Sequence, residues 1–323
     1  MKILITGAAG FIGFSLAKSL LENQKNIEIY GIDNFDDYYS KKLKNLRIKE
    51  LKKFQKFRFI KIDICKRDLL KKKLKDKKFT YIIHLAAQTS VRFSELKPKK
   101  YINSNIFGFI NVLDSVLKFP PKKILYASSS SIYGEAKKFP VSEQDNILPI
   151  NIYAVSKKLN EIIAKFYSRY YNLNLVGLRF FTIYGEWGRP DMFLFKLFKS
   201  FHSKKIFYLN NSGDHKRDFT YIDDAIEIMK KIIISKKIKN KNSIFNICSS
   251  NSLKITKIVS FFQKNYGKVR VSKTTKNSLD VKNMHGNNKQ VKKITSFNKF
   301  TNYKTGIINS YEWYKKYKAY NFL

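Results

Sequence analysis

Over the first half of the chain, short apolar runs alternate with longer stretches whose apolar residues return every three or four positions. Residues 2–6 (KILIT) lead into a glycine-rich turn and a helical stretch to about residue 23. Runs at 27–32 (IEIYGI), 57–62 (FRFIKI), 81–85 (YIIHL), 124–127 (ILYA) and 173–178 (LNLVGL) continue the series. Long amphipathic stretches at 103–118 and 151–171 lie between the later ones. The short runs are strand-length, and helix-length crossovers between strands require parallel pairing with both faces of the sheet covered. The pattern therefore predicts an α/β fold built on a doubly wound parallel sheet.

After residue 179 the rhythm loosens. Aromatic-rich loops, a short helix near 191–203 and a lysine-heavy tail predict a smaller C-terminal lobe. The helical segment 223–234 and the apolar run 244–248 are expected to return to the sheet, so the boundary is interleaved. The expected division is 1–178 with about 219–248 for the sheet domain, and 179–218 with 249–323 for the lobe.

Composition adds constraints. The 323 residues are 44% hydrophobic, enough for a sizeable core, and carry a formal charge of +40 from 64 basic and 24 acidic residues. Such a charge raises the question of a nucleic-acid or anionic-membrane partner. Only nine of the 64 are arginine, the residue base-edge readout prefers, and an excess of lysine on solvated faces accounts for the rest. No nucleic acid or membrane partner is expected. Cys65 and Cys248 lack metal-type spacing, the four histidines show no pairing, and no apolar run approaches the roughly 20 residues a bilayer needs. Strand-like sequence from residue 2 leaves no room for a signal peptide, so a cytoplasmic protein with reduced thiols and no metal is expected.

Candidate chemistry begins at Gly7-Ala-Ala-Gly10-Phe11-Ile12-Gly13, directly after the first strand and opening a helix. Glycines let the backbone approach a dinucleotide pyrophosphate, and a helix N-terminus offers it free N–H groups and positive potential. A tight strand-to-helix turn would also use glycine. Asp33 ends the second strand, where an acid accepts both ribose hydroxyls of NAD, and no arginine follows closely to accept a 2′-phosphate. NAD is thus the expected cofactor. Asp63-Ile64, ending the third strand, is placed to border the adenine, or is a plain turn.

Asn151-Ile-Tyr153-Ala-Val-Ser-Lys157 starts the long amphipathic stretch. Tyr153 and Lys157 are four apart and share a helix face. A phenol of pKa about 10 becomes a base near neutrality only if positive charge favours the tyrosinate, and Lys157 together with an oxidised nicotinamide can supply it.

Taken together, 6–13 (TGAAGFIG), Leu85-Ala86-Ala87, the serine run 128–131 and Tyr153-x-x-x-Lys157 resemble the extended short-chain dehydrogenase/reductase family over essentially the whole chain. The stretches 33–44 (DNFDDYYSKKLK), 178–192 (LRFFTIYGEWGRPDM) and 216–224 (KRDFTYIDD) resemble its nucleotide-sugar 4-epimerases acting on UDP-glucuronate. The resemblance implies a Rossmann-type NAD-binding domain and a lobe holding a UDP-sugar, UDP-glucuronate or UDP-galacturonate, with Ala86 beside the cofactor and Lys157 also on its ribose. It also implies an isomerase serving surface polysaccharide synthesis, homodimeric through the helices near 103–118 and 151–171.

The same resemblance assigns roles. Ser129 polarises the sugar 4-OH and then the 4-ketone, Tyr153 takes the proton, and the hydride passes from C4 to NAD and returns to the opposite face. Ser130 and Ser131 stand where related dehydratases carry an Asp-Glu pair and related decarboxylases a glutamate. Two neutral hydroxyls leave no acid or base to act at C5, and they can donate to a uronate carboxylate. Thr182 and Arg189 match sugar-lining positions, and Arg189 can grip a carboxylate through paired hydrogen bonds. Arg217 matches a position on the UDP phosphates, Arg92 is a candidate for the sugar or pyrophosphate, and Asn105 matches a structural asparagine. Glu186 stands where the family carries proline, which implies a less rigid loop. Leu279-Asp280-Val281 keeps a family core near the uridine, whereas 284–288 departs from it.

Two other readings remain open at this level. One is a UDP-glucose/galactose 4-epimerase. The other, prompted by the charge, is a non-catalytic NAD-binding regulator on the same fold.

Overall fold

The computed structural model describes residues 1–24, 26–274 and 281–317. Six of its strands follow the apolar runs closely: β1 (Lys2–Thr6), β2 (Glu28–Asp33), β3 (Phe57–Lys61), β4 (Tyr81–His84), β5 (Lys123–Ser129) and β6 (Leu175–Phe180). Six more strands follow: β7 (Thr182–Tyr184), β8 (Phe207–Leu209), β9 (Lys216–Tyr221), β10 (Asn242–Ile247), β11 (Ser252–Lys254) and β12 (Val271–Lys273). Among the described residues, the main sheet is seven-stranded and wholly parallel, in the order β3-β2-β1-β4-β5-β6-β10. This is the expected doubly wound α/β sheet, with β10 back at its edge.

Alternation along each strand divides the core between two faces. Ile3, Ile5, Ile83, Leu125 and Val176 are buried against the face covered by helices Phe11–Asn23 and Ile222–Ile234. Leu4, Ile82, Ile124 and Leu175 are buried on the other, with Phe109 and Ala164 from helices Gly108–Asp114 and Ile152–Tyr170. Strand order reverses between β1 and β4, which opens a crevice at their C-terminal ends. The glycine turn, Ala86 and the serine run all leave the sheet at that edge.

The sequence pattern and the structure differ in three places. First, β5 runs on through Ser128 and Ser129 instead of stopping at Ala127, because Ser128 gains a buried partner in Glu161. Second, the stretch 103–118 is not one α-helix. It opens as a π-helical turn, Ile102–Phe107, before the helix Gly108–Asp114. Such turns place a side chain where a regular helix cannot. Here it is Asn105, fully buried, which accepts from the Gln88 N–H at 2.8 Å and donates to the Gln88 carbonyl and the Ser156 hydroxyl. Third, the lysine-heavy tail contains two amphipathic helices, Ile255–Tyr266 and Tyr303–Tyr317. Their buried aromatic rings pack on helix Phe193–His202.

Helix Ile152–Tyr170 is fixed from several sides. Asn151 caps it by accepting from the Ala154 N–H at 2.8 Å, and Glu95 accepts from Ile152. Its inward face is polar: Ser156, Lys157, Asn160 and Glu161 are all buried. Glu161 receives two nearly parallel 2.9 Å hydrogen bonds from Arg179 at the end of β6 and a third, at 2.6 Å, from Ser128. Arg179 also donates to the Tyr133 hydroxyl, which in turn donates to Asn246 of β10. A buried pair of this kind contributes little against an apolar replacement but is costly to break on one side. Arg179→Met or Glu161→Leu alone should therefore cost about 3–5 kcal/mol in urea unfolding. The double substitution should cost clearly less than their sum.

Candidate active site

The glycine turn is built for close approach. Gly7 has φ of 75°, and a Cβ there would meet the Ala86 nitrogen at 2.8 Å. A Cβ on Gly13 would lie 2.2 Å from the Gly7 carbonyl oxygen, so no other residue closes the turn this tightly. No side chain caps helix Phe11–Asn23 and no acid sits in its first turn, which leaves its N-terminus open to an anion. Gly7, Gly10, Phe11, Ile12 and Gly13 line one end of a cavity of about 450 Å³.

Asp33 lines that same end. Its carboxylate accepts from the Ala9 N–H at 3.0 Å and the Phe35 N–H at 2.9 Å. Burial pushes its pKa up, against these two bonds and the charges of Lys44 and Arg47. Ile64 and Ala86 also line the cavity. Asp63 is not among the lining residues. Burial would raise its carboxyl, but bonds from the Cys65 N–H and Asn34 outweigh it and hold the carboxyl below its usual range.

At the other end stand the serines, Tyr153 and Lys157. The four hydroxyls divide their work. Ser128 turns inward to Glu161, whereas Ser129 accepts from the Ser131 N–H at 3.1 Å and lies beside the Tyr153 phenol. Ser130 and Ser131 are half-buried and line the cavity. A strand-end cap and a polar cavity wall are therefore both present in one turn.

Burial pushes the Tyr153 phenol above its ordinary value, with the Ser129 hydroxyl and the Arg189 charge pulling the other way. Lys157 donates to the Ala127 carbonyl at 2.9 Å, and burial lowers its ammonium to about 7. Burial thus outweighs the groups that favour the tyrosinate, and Lys157 is not among those that act on the phenol without the cofactor's charge.

Thr182 and Arg189 line the cavity, but the Arg189 fork already holds a carboxylate, that of Asp191. Nε donates to Oδ1 at 2.9 Å and Nη2 to Oδ2 at 2.6 Å, while Nη1 donates to the Thr89 hydroxyl. Tyr38 adds a 3.1 Å hydrogen bond to the same carboxylate. Arg217 lines the cavity and donates to the carbonyls of Lys216, Val281 and Lys282. Arg92 is exposed on helix Val91–Leu96 and is not among the lining residues. Val281 and Met284 contribute to the wall, whereas Leu279 and Asp280 lie outside the described residues. The loop at Glu186 is anchored without proline. Glu186 accepts from the Tyr221 hydroxyl, and Trp187 is buried against Phe14 and Trp313.

Glu161, Arg179 and Asn246, which hold the serine turn in place, went unnoticed in the sequence. Four polar residues on one face of an otherwise amphipathic helix were the available signal. No group of His, Cys, Asp or Glu among the described residues could hold a metal.

A parallel sheet with a glycine cradle at its switch point and a Tyr-Ser-Lys set across the cavity defines a dinucleotide-dependent enzyme of the short-chain type. Residues 3–248 match the model of the NAD dependent epimerase/dehydratase family, and the chain belongs to it. Protein CapI of Staphylococcus aureus is 37% identical over 334 residues, covering 98% of this chain and 99% of that one. UDP-glucuronate 4-epimerase 4 of Arabidopsis thaliana is 36% identical over 335 residues, covering 98% and 76%. The crystal structure of UDP-glucuronic acid 4-epimerase from Bacillus cereus, in complex with UDP-glucuronic acid and NAD, matches with a TM-score of 0.91. Its identity is 32%, and the match covers 98% and 99% of the two chains.

The buried lysine has a measurable pH signature. The unfolded chain keeps the Lys157 proton up to about 10.5, but the fold keeps it only to about 7. Between these values the unfolded state binds more protons, so stability of the NAD-free protein rises with pH. Lys157→Met lacks this titration. Its melting temperature should exceed the parent's most at pH 7, and the gap should close by pH 10. An equal gap at both pH values contradicts the assignment.

Proposed function

We propose that the chain is an NAD-dependent UDP-glucuronate 4-epimerase that interconverts UDP-glucuronate and UDP-galacturonate. The observation that carries this reading is the composition of the cavity wall beside Tyr153. Ser129, Ser130 and Ser131 present hydroxyls there, and the only acids among the described lining residues are Asp33 and Asp36, toward the glycine turn. With no carboxyl group to act at C5, oxidation at C4 leads only back to an alcohol.

The geometry supports a role for each residue. The glycine turn, Ile64, Ala86 and Asp33 hold the dinucleotide, Asp33 through carboxylate lone pairs its two backbone donors leave open. NAD, when bound, takes the C4 hydride and returns it, and its oxidised ring brings positive charge to the cavity. Tyr153 removes the 4-OH proton, and Ser129, beside the phenol, holds first the hydroxyl and then the ketone. Lys157, one turn along the helix, supports the phenolate and the cofactor ribose. When the pyranose has turned over, Tyr153 returns the proton to the same oxygen, O4. Ser130, Ser131 and Thr182 offer donors to the sugar carboxylate, with the Arg189 charge behind them and Arg217 toward the phosphates.

The same proposal includes the division into a dinucleotide domain and a sugar lobe, and a cytoplasmic place serving surface polysaccharide. Two free cysteines support the latter, and among the described residues no helix is long and apolar enough to cross a membrane. It also includes a homodimer. Ile162, Phe166 and Tyr170 form an exposed apolar stripe along helix Ile152–Tyr170, with Phe107 exposed on the π-helical turn before Gly108–Asp114. A monomeric mass in solution removes that part.

The pairing of Arg189 with Asp191 keeps a second reading in play, a neutral-sugar UDP-glucose/galactose 4-epimerase. Incubation with UDP-glucuronate, followed by NMR, should yield UDP-galacturonate. A pentose or a stable 4-ketone overturns the reaction assignment, and faster turnover of UDP-glucose overturns the substrate. Tyr153→Phe should lower kcat by about 10²–10⁴-fold, and Ser129→Ala by a smaller factor, with NAD still bound.

A further inference from the structure

Arg47, on helix Lys41–Lys52, is fully buried yet is not among the residues lining the cavity. Nη1 donates to the Ala9 carbonyl and the Tyr39 hydroxyl, both at 2.8 Å. Nη2 donates to the carbonyls of Trp187 and of Gly188, the latter at 3.2 Å. Among the described residues it makes no ion pair, and its buried Nε has no partner. Burying an unpaired cation is costly, so a side chain that served packing alone would not be charged.

What the fork joins is informative. Ala9 belongs to the glycine turn, and its own N–H is held by Asp33. Trp187 and Gly188 immediately precede Arg189, which faces the opposite part of the cavity. One guanidinium therefore clamps the peptide that receives the dinucleotide to the loop that carries the arginine of the sugar site. Two segments far apart in sequence, 38 positions before the arginine and 140 after it, share a single rigid, planar connector.

We propose that Arg47 is a positioning residue that makes cofactor binding and sugar-nucleotide binding mutually dependent. A dinucleotide that orders the glycine turn orders 187–189 through the fork, and a sugar nucleotide acts in reverse with the same factor. The sugar arm rests on the function proposed above, whereas the cofactor arm does not.

Two measurements test this on the full chain. In hydrogen exchange, NAD added to the NAD-free parent should slow amides in both 7–13 and 185–190, and in Arg47→Met only in 7–13. In calorimetry, NAD should tighten UDP-glucuronate binding about tenfold in the parent and no more than about twofold in Arg47→Met. Arg47→Lys keeps the charge but cannot span both loops, so it should also lose the coupling. If Arg47→Met does not fold, Arg47→Lys decides alone. Parent-like coupling in the folded variants overturns the proposal, as does absence of transmitted protection in the parent. If the parent binds no UDP-glucuronate, the substrate assignment fails, and the exchange experiment still decides the role of Arg47.

Discussion

The paired hydrogen bonds between Arg179 and Glu161 tie together three things that have to be in register: the helix bearing Tyr153 and Lys157, the end of β6, and the turn bearing the serines. Tyr153 lies two turns before Glu161 on the same helix, so a rotation or slide of that helix would move the phenol away from Ser129. The bidentate geometry forbids both motions at once. Tyr133 and Asn246 extend the constraint to β10, so the far edge of the sheet also holds the serine turn.

Around this frame the electrostatics are arranged by dryness more than by charge. Net charge is +40, yet among the described residues only Lys44, Lys123 and Lys157 are buried lysines, and each has a specific acceptor. Lys123 closes the C-terminus of helix Ile222–Ile234 through three carbonyls, where a cation suits the helix dipole. Lys157, with its ammonium lowered to about 7, sits at the edge of losing its proton under ordinary conditions. A site of this kind responds strongly to a charge that arrives with a ligand.

Legibility in the sequence followed the range of the interaction. The glycine turn, Asp33 and the Tyr153/Lys157 pair could be read because their chemistry imposes short, fixed spacings. The six apolar runs placed the sheet strands for a similar reason, since burial on both faces leaves little freedom of pattern. Contacts made across long separations left no such trace. Arg47 meets Trp187, and Tyr133 meets Asn246, 140 and 113 residues away, and no local rule points from one to the other. Asn105 fell inside a pattern read as regular helix, because one extra residue per turn barely disturbs an apolar period. Glu186 belongs with the long-range contacts: the missing proline is visible locally, whereas the Tyr221 hydroxyl that bonds the glutamate comes from 35 residues away.

Asp191, itself outside the cavity lining, gives Arg189 a permanent anionic partner. Any acidic guest that approaches Arg189 competes with a resident that is already well seated and covalently present at all times. Entry there is an exchange of partners, and its net benefit is the small difference between two similar contacts. Preference for acidic over neutral guests would then be tuned by how firmly Tyr38 holds that resident and Thr89 holds the remaining nitrogen of the arginine.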